Sequence, residues 1–101
     1  MPYVWGGASP AGFDCSGLVM YVYAKLGVYL PHNAAMQFGR TRPVPRSALV
    51  PGDLVFFGWS AASIHHVGIY VGNGTMIDAP YTGAVVRYDS LSGDFFSGGR
   101  I

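Results

Sequence analysis

The chain has 101 residues, half of them apolar and only 11% charged, with a formal net charge of +1. That length suits one domain. The six basic residues are scattered, which excludes the footprint of a nucleic-acid binder, and no apolar run reaches the roughly 18 residues of a membrane span. One cysteine excludes an internal disulfide and leaves a thiol for chemistry. Residues Met1 to Gly7 do not read as a signal peptide. Against the roughly 25% charge of an ordinary domain, so sparse a polar surface predicts either an apolar groove or a missing cover.

Taken in order, Tyr3 to Gly12 reads as a loop rich in turn-forming residues. From Asp14 the pattern changes. Leu18, Val19, Val22, Tyr23 and Leu26 recur at helical spacing and Gly27 stands where a helix would stop, predicting a helix over 14–26. Its face of Leu18, Val22 and Leu26 is expected in the core. Asn33 is a good N-cap for a short helix over 34–39. Residues 41–50 carry two prolines and no period, so they are expected to form a surface connection. Strands are predicted at 54–57, 66–71, 75–79 and 85–88, with one more in the closing 95–101. Helices first and an antiparallel meander after make an α+β pattern.

Cys15 falls just after the Gly-rich loop and at the start of the first predicted helix. Unpaired N–H groups and the helix dipole favour a thiolate there, hence a nucleophile; the alternative is a small buried core residue. A nucleophilic thiol needs a base, and the base an orienting group. His32, before the second helix, is expected to be a solvated or packing residue. His65 and His66 are adjacent and should point to opposite faces of a strand. His66 shares a face with Gly68 and Tyr70, opposite the β-branched Val67, Ile69 and Val71, which are expected to face the core. Gly68 beside it marks a place of close approach, which selects His66 as the base and leaves His65 without a catalytic role.

Asp78 is the candidate third group, and hairpin register tests it. A plain two-residue Asn73-Gly74 turn pairs Ile69 with Asp78 and sends the carboxylate to the wrong face. A three-residue loop, or a compensating bulge, sets Gly68 opposite Asp78 and makes His66 and Asp78 diagonal neighbours about 7–8 Å apart at the backbone.

Five blocks in order resemble the NlpC family of bacterial cell-wall cysteine peptidases: Tyr3 to Gly7, Gly12 to Val19, Leu30 to Gln37, Pro51 to Phe57 and His66 to Gly74. The resemblance covers nearly the whole chain and implies one domain, 1–101, with a papain-like fold. It implies a cysteine endopeptidase that hydrolyses peptidoglycan stem peptides at the bond between D-γ-glutamate and a diamino acid. By residue it implies Cys15 as nucleophile, His66 as base and Asp78 as third polar group, a position where the family more often has His, Asn or Gln. Tyr3 matches a tyrosine lining the site and, with the backbone N–H of Cys15, a candidate for meeting the oxyanion. Asp14 and Ser16 match positions that bind a stem-peptide amine; their local alternatives are a helix cap and a first-turn residue.

No metal or organic cofactor is implied. Cell-wall substrate implies an extracellular or wall location and allows a further targeting domain in a longer parent protein. Family domains usually have a helix before the first block, so the chain is expected to lack an upstream helix. Two rival functions remain beside this one: a non-catalytic wall-binding module, and an amidase or acyltransferase on the same fold. Zinc ligation by Cys15 has the least support, for want of a second cysteine or suitable histidine spacing.

Overall fold

Asp14 stands between a short hairpin and the first helix. The structure, a computed structural model, describes residues 8–9, 12–79, 86–91 and 93–101. The hairpin, β1 (Ala8–Ser9) and β2 (Gly12–Phe13), lies within the stretch expected to be loop. Helix α1 (Cys15–Ala24) begins where Asp14 caps it, the carboxylate accepting from Gly17 N–H at 2.7 Å. It ends two residues earlier than expected. Leu26 N–H and Val28 N–H both return to Tyr23 O, and Gly27 takes a left-handed φ of 81°. That turn carries Leu26 into solvent, 71% exposed, so it does not join the core as its spacing suggested. Helix α2 (Ala34–Phe38) starts at Asn33, whose side chain accepts from Met36 N–H at 3.0 Å.

The stretch expected to be a surface connection contains a strand, β3 (Arg42–Val44), and a 3₁₀ turn at Arg46–Ala48. Pro43 hid the strand. Without an N–H it is tolerated only where the ladder has a free side, and β3 is an edge strand. The remaining strands are β4 (Leu54–Gly58), β5 (Ile64–Gly72), β6 (Thr75–Asp78), β7 (Arg87–Ser90) and β8 (Phe95–Arg100). The last of these does not extend the meander; it returns to pair with β4 and β3. The antiparallel order is β3-β8-β4-β5-β6-β7. β7 lies two residues later than predicted. Val85 is outside the described residues and Val86 precedes the strand, while Tyr88, Asp89 and Ser90 are held by Ile77, Met76 and Thr75. Pairing outweighed the β-propensity of the two valines.

All five residues of β4 are buried, which explains its unbroken apolar run. On one face, Leu54 and Phe56 join Val67 and Ile69 of β5 beneath Val19 and Tyr23 of α1 and Ala34 of α2. On the other, Val55 and Phe57 join Met76 and Leu91, with Leu49, Tyr70 and Phe95 packed around them. Both faces of one small sheet therefore consume apolar residues, which accounts for the sparse charge. Asp53, buried just before β4, is held by both arms of Arg100 at 2.9 and 2.8 Å and by Val50 N–H, tying β8 to the entry of the central strand. Among the described residues no helix is long and apolar enough to cross a membrane.

Candidate active site

Three local devices bring Cys15, His66 and Asp78 into one neighbourhood. The first is the cap that fixes the start of α1. Asp14 Oδ1 accepts Gly17 N–H and also lies 2.7 Å from His32 Nε2, so Cys15 follows directly on a carboxylate that ties two loops together. His32 is thus a hydrogen-bond partner of the cap rather than a solvated or packing residue. Beneath this turn Gln37 Nε2 donates to Ser16 O at 2.9 Å and to Pro31 O at 2.8 Å. Cys15 itself is a partly buried free thiol packed against the α1–β5 core.

The second device is a bulge at His65. Phe57 pairs with His66 and Gly58 with Ile64, leaving His65 as the extra residue. Strict alternation fails there. His65 and His66 border the same cavity, whereas a regular strand would separate them. His65 is mostly exposed and bonds Asp94; His66 is 15% exposed at its side chain and lies beside the Phe57 ring.

The third is a bulge at Val71. Asn73 and Gly74, with φ of 55° and 70°, form a two-residue turn that pairs Gly72 with Thr75, and Tyr70 then pairs with Met76. The skipped Val71 is exposed instead of joining Val67 and Ile69 on the core side. Asp78 thereby arrives opposite Gly68: a Cβ on Gly68 would lie 3.3 Å from Asp78 Cβ and 2.7 Å from Met76 Sδ. So the Asn-Gly turn is the short one, and the compensating bulge carries Asp78 to His66's face. His66 Nε2 and Asp78 Oδ2 are 2.7 Å apart, with the Asp78 side chain 2% exposed.

The electrostatics follow from these contacts. Burial of the His66 ring opposes its charge, but hydrogen bonds to Asp78 and Cys15 and the charges of both outweigh burial and raise its pKa from 6.5 to about 9. Burial pushes the Asp78 carboxyl upward; the His66 hydrogen bond pulls against this, and Asp89 adds to the rise. Asp89 and its partner Arg87, 2.9 Å away, were not singled out in the sequence. The signal available was their two-residue spacing on a strand, which puts both on one face. A cavity of about 390 Å³ opens over this face, bordered by His66, Asp78, Asp89 and Asp94 among others.

Of the remaining predicted site residues, Asp14 acts as the helix cap, and Ser16 is buried in the first turn of α1. Tyr3 lies outside the described residues.

The model of the NlpC/P60 family matches residues 1–99. The chain belongs to the NlpC/P60 family. Its α+β arrangement, with helices on an antiparallel sheet and a cysteine opening α1, is the family's papain-like cysteine-peptidase fold. It is 50% identical over 91 residues to the probable endopeptidase p60 of Listeria innocua, covering 90% of this chain and 19% of that protein. The chain thus spans about a fifth of the length of this relative. Among solved structures, the NlpC/P60 domain of the peptidoglycan hydrolase SagA superposes with a TM-score of 0.91 at 34% identity, covering 99% of this chain and 86% of that one. RipD of Mycobacterium tuberculosis, described as a non-catalytic NlpC/P60 domain protein adapted to peptidoglycan binding, superposes with a TM-score of 0.86 at 26% identity over 100% of this chain and 86% of its own.

Proposed function

We propose that this NlpC/P60 domain is a peptidoglycan hydrolase, a cysteine endopeptidase that cleaves stem peptides between D-γ-glutamate and the following diamino acid. The observation that carries the reading is the buried imidazole of His66, held by Asp78 at 2.7 Å and near enough to the Cys15 thiol for it to help raise the ring's pKa. SagA, named a peptidoglycan hydrolase, supports peptidoglycan as the substrate, and the Listeria protein, named a probable endopeptidase, supports cleavage of a peptide bond.

In this reading His66 takes the Cys15 proton and the thiolate attacks the scissile carbonyl. The Cys15 N–H, first in α1 and without an intrahelical acceptor by position, meets the developing oxyanion. His66 then gives its proton to the leaving amine, and water, deprotonated by His66, hydrolyses the thioester. Asp78 fixes the ring. Asp14 and Ser16, and Tyr3 before them, are assigned to the substrate amine and the cleft wall. The domain works outside the cell or in the wall, as part of a longer protein with its own targeting region.

The test is mass spectrometry of L-Ala-γ-D-Glu-diaminopimelate-D-Ala after incubation with the parent and with Cys15→Ala. Release of L-Ala-D-Glu by the parent alone supports nucleophile and bond together. Binding of the peptide without cleavage by either protein sinks the reading in favour of a non-catalytic module of the RipD kind.

A further inference from the structure

Asp78 presents a problem that its bond to His66 does not solve. Oδ2 meets the imidazole, but Oδ1 is fully buried and no donor among the described residues reaches it. A buried carboxylate oxygen left bare costs the desolvation of a charged group, so such an atom calls for a partner. Arg87 is the cross-strand neighbour of Asp78, yet its Nε bonds Asp89 Oδ2 at 2.9 Å. The pairs Asp78↔Arg87 and Met76↔Asp89 place Met76, Asp78, Arg87 and Asp89 on one face of β6 and β7. Asp78 and Asp89 are therefore diagonal neighbours on that face, and both border the same cavity. Two carboxylates cannot bond to one another, since both only accept. One proton resolves the contact.

We propose that Asp78 and Asp89 share one proton, carried on Asp78 Oδ1 and donated to the Asp89 carboxylate, and that Asp89 is thereby a positioning residue for His66. The inference rests on the assignment of His66 as the acid–base group. The proton belongs on Asp78 because its side chain is 2% exposed, against 29% for Asp89, which also has Arg87 to hold its charge. The directions of the two acidities agree: burial and Asp89 push Asp78 up. Asp89 falls below the ordinary carboxylate value although its own burial opposes this, because Arg87 and then Asp78 bond to it. The charged groups around the pair are His66 and His65 from β5, Arg87 and Asp89 from β7 and Asp94 before β8, with Cys15 beyond the imidazole. A carboxylic acid at Asp78 accepts Nε2–H through Oδ2 much as an amide oxygen would. In that form it orients the ring without a full negative charge against it, and the charge that helps raise His66 to about 9 belongs to the ionised form. Losing that proton adds the charge and makes His66 hold its own proton more tightly.

The experiment is infrared difference spectroscopy of ¹³C-aspartate-labelled protein, titrated through the carboxylate range with no substrate present. The parent is expected to show a protonated-carboxyl band that persists above the pH at which an ordinary aspartate ionises and that is missing in Asp78→Asn. Asp89→Asn is expected to lower the midpoint of that band by about one unit, a tenfold loss of proton affinity. Asp89→Glu, which restores the charge, is expected to recover most of it, and circular dichroism confirms that each variant is folded. No band above the ordinary aspartate range in the parent, or a midpoint indifferent to Asp89→Asn, overturns the shared proton. Because the readout needs no turnover, a band without stem-peptide cleavage counts against the proposed hydrolase alone. Cleavage without a band counts against the proton alone.

Discussion

His32 Nε2 lies 2.7 Å from Asp14 Oδ1, joining the loop before α2 to the residue that starts α1. The same oxygen accepts Gly17 N–H, so one carboxylate both caps the helix and anchors a second loop. Asp14→Ala is expected to cost about 1–2 kcal/mol, because the cap and the His32 hydrogen bond go together. His32→Ala removes only that bond and should cost about 0.5–1 kcal/mol. Urea melts of the two variants check this. A larger loss for His32 than for Asp14 would show that the cap is not the main contribution.

Asp78 should matter to the alkaline side of activity. His66 is raised to about 9 mainly by Asp78 and Cys15 working against its burial. An imidazolium needed to protonate the leaving amine is present below that value and lost above it. The alkaline limb of kcat/KM is therefore expected near pH 9 in the parent. In Asp78→Ala the limb moves to lower pH, and activity near neutrality falls by about 10²-fold or more. Stopped assays across pH 6–10 give the limb directly; an unmoved limb would remove Asp78 from the assignment.

Gly68 is the position where β5 and β6 approach most tightly at the site. A methyl there meets Met76 Sδ at 2.7 Å and both Asp78 Cβ and Ile77 O at 3.3 Å. The Met76 tail can swing aside, but the backbone oxygen and Asp78 cannot. Gly68→Ala should therefore push Asp78 from His66, costing about 1–3 kcal/mol of stability and about tenfold or more in kcat, with KM little changed. Thermal melts alongside initial rates separate the two effects.

Acid should undo the clamp on β4. The Asp53 carboxyl is held below its ordinary value, first by the hydrogen bond from Arg100, against burial and with help from Val50. Its contribution is complete above the unfolded carboxylate value and fades as pH falls through the lower folded one. Arg100→Met should lower the melting temperature at pH 7, and the difference from the parent should shrink as the pH drops toward 3. Calorimetry at several pH values measures it. A difference that stays constant into acid would place the effect elsewhere.

Much of this site is legible in the sequence, and the reason is local. Asp14, Cys15 and Asn33 announce helix starts by residue type, and Leu54 to Phe57 announce a central strand by an unbroken apolar run. Asp78 could be tied to His66 because side-chain direction in strands depends only on counting, once a turn or bulge is allowed for. What stayed hidden depends on partners far along the chain. Nothing near Pro43 indicates an edge strand, since its partner is Gly99. Nothing near Asp14 names His32, and nothing near Asp78 names Asp89, whose place follows from pairing with Met76. Leu26 misled because periodicity runs on past the point where a glycine turn ends the helix.

The skipped residue at Val71 makes the hairpin a parity device. Loss of Val71 alone would close the ladder with Gly68 still opposite Asp78, whereas pairing Val71 with Met76 at unchanged length would set Ile69 opposite Asp78 and turn both Asp78 and the buried Met76 to the far side of the sheet. The carboxylate that holds His66 and a methionine of the core are thus set by the same skipped residue, so a slip of one in this hairpin is expected to cost the site and the packing together.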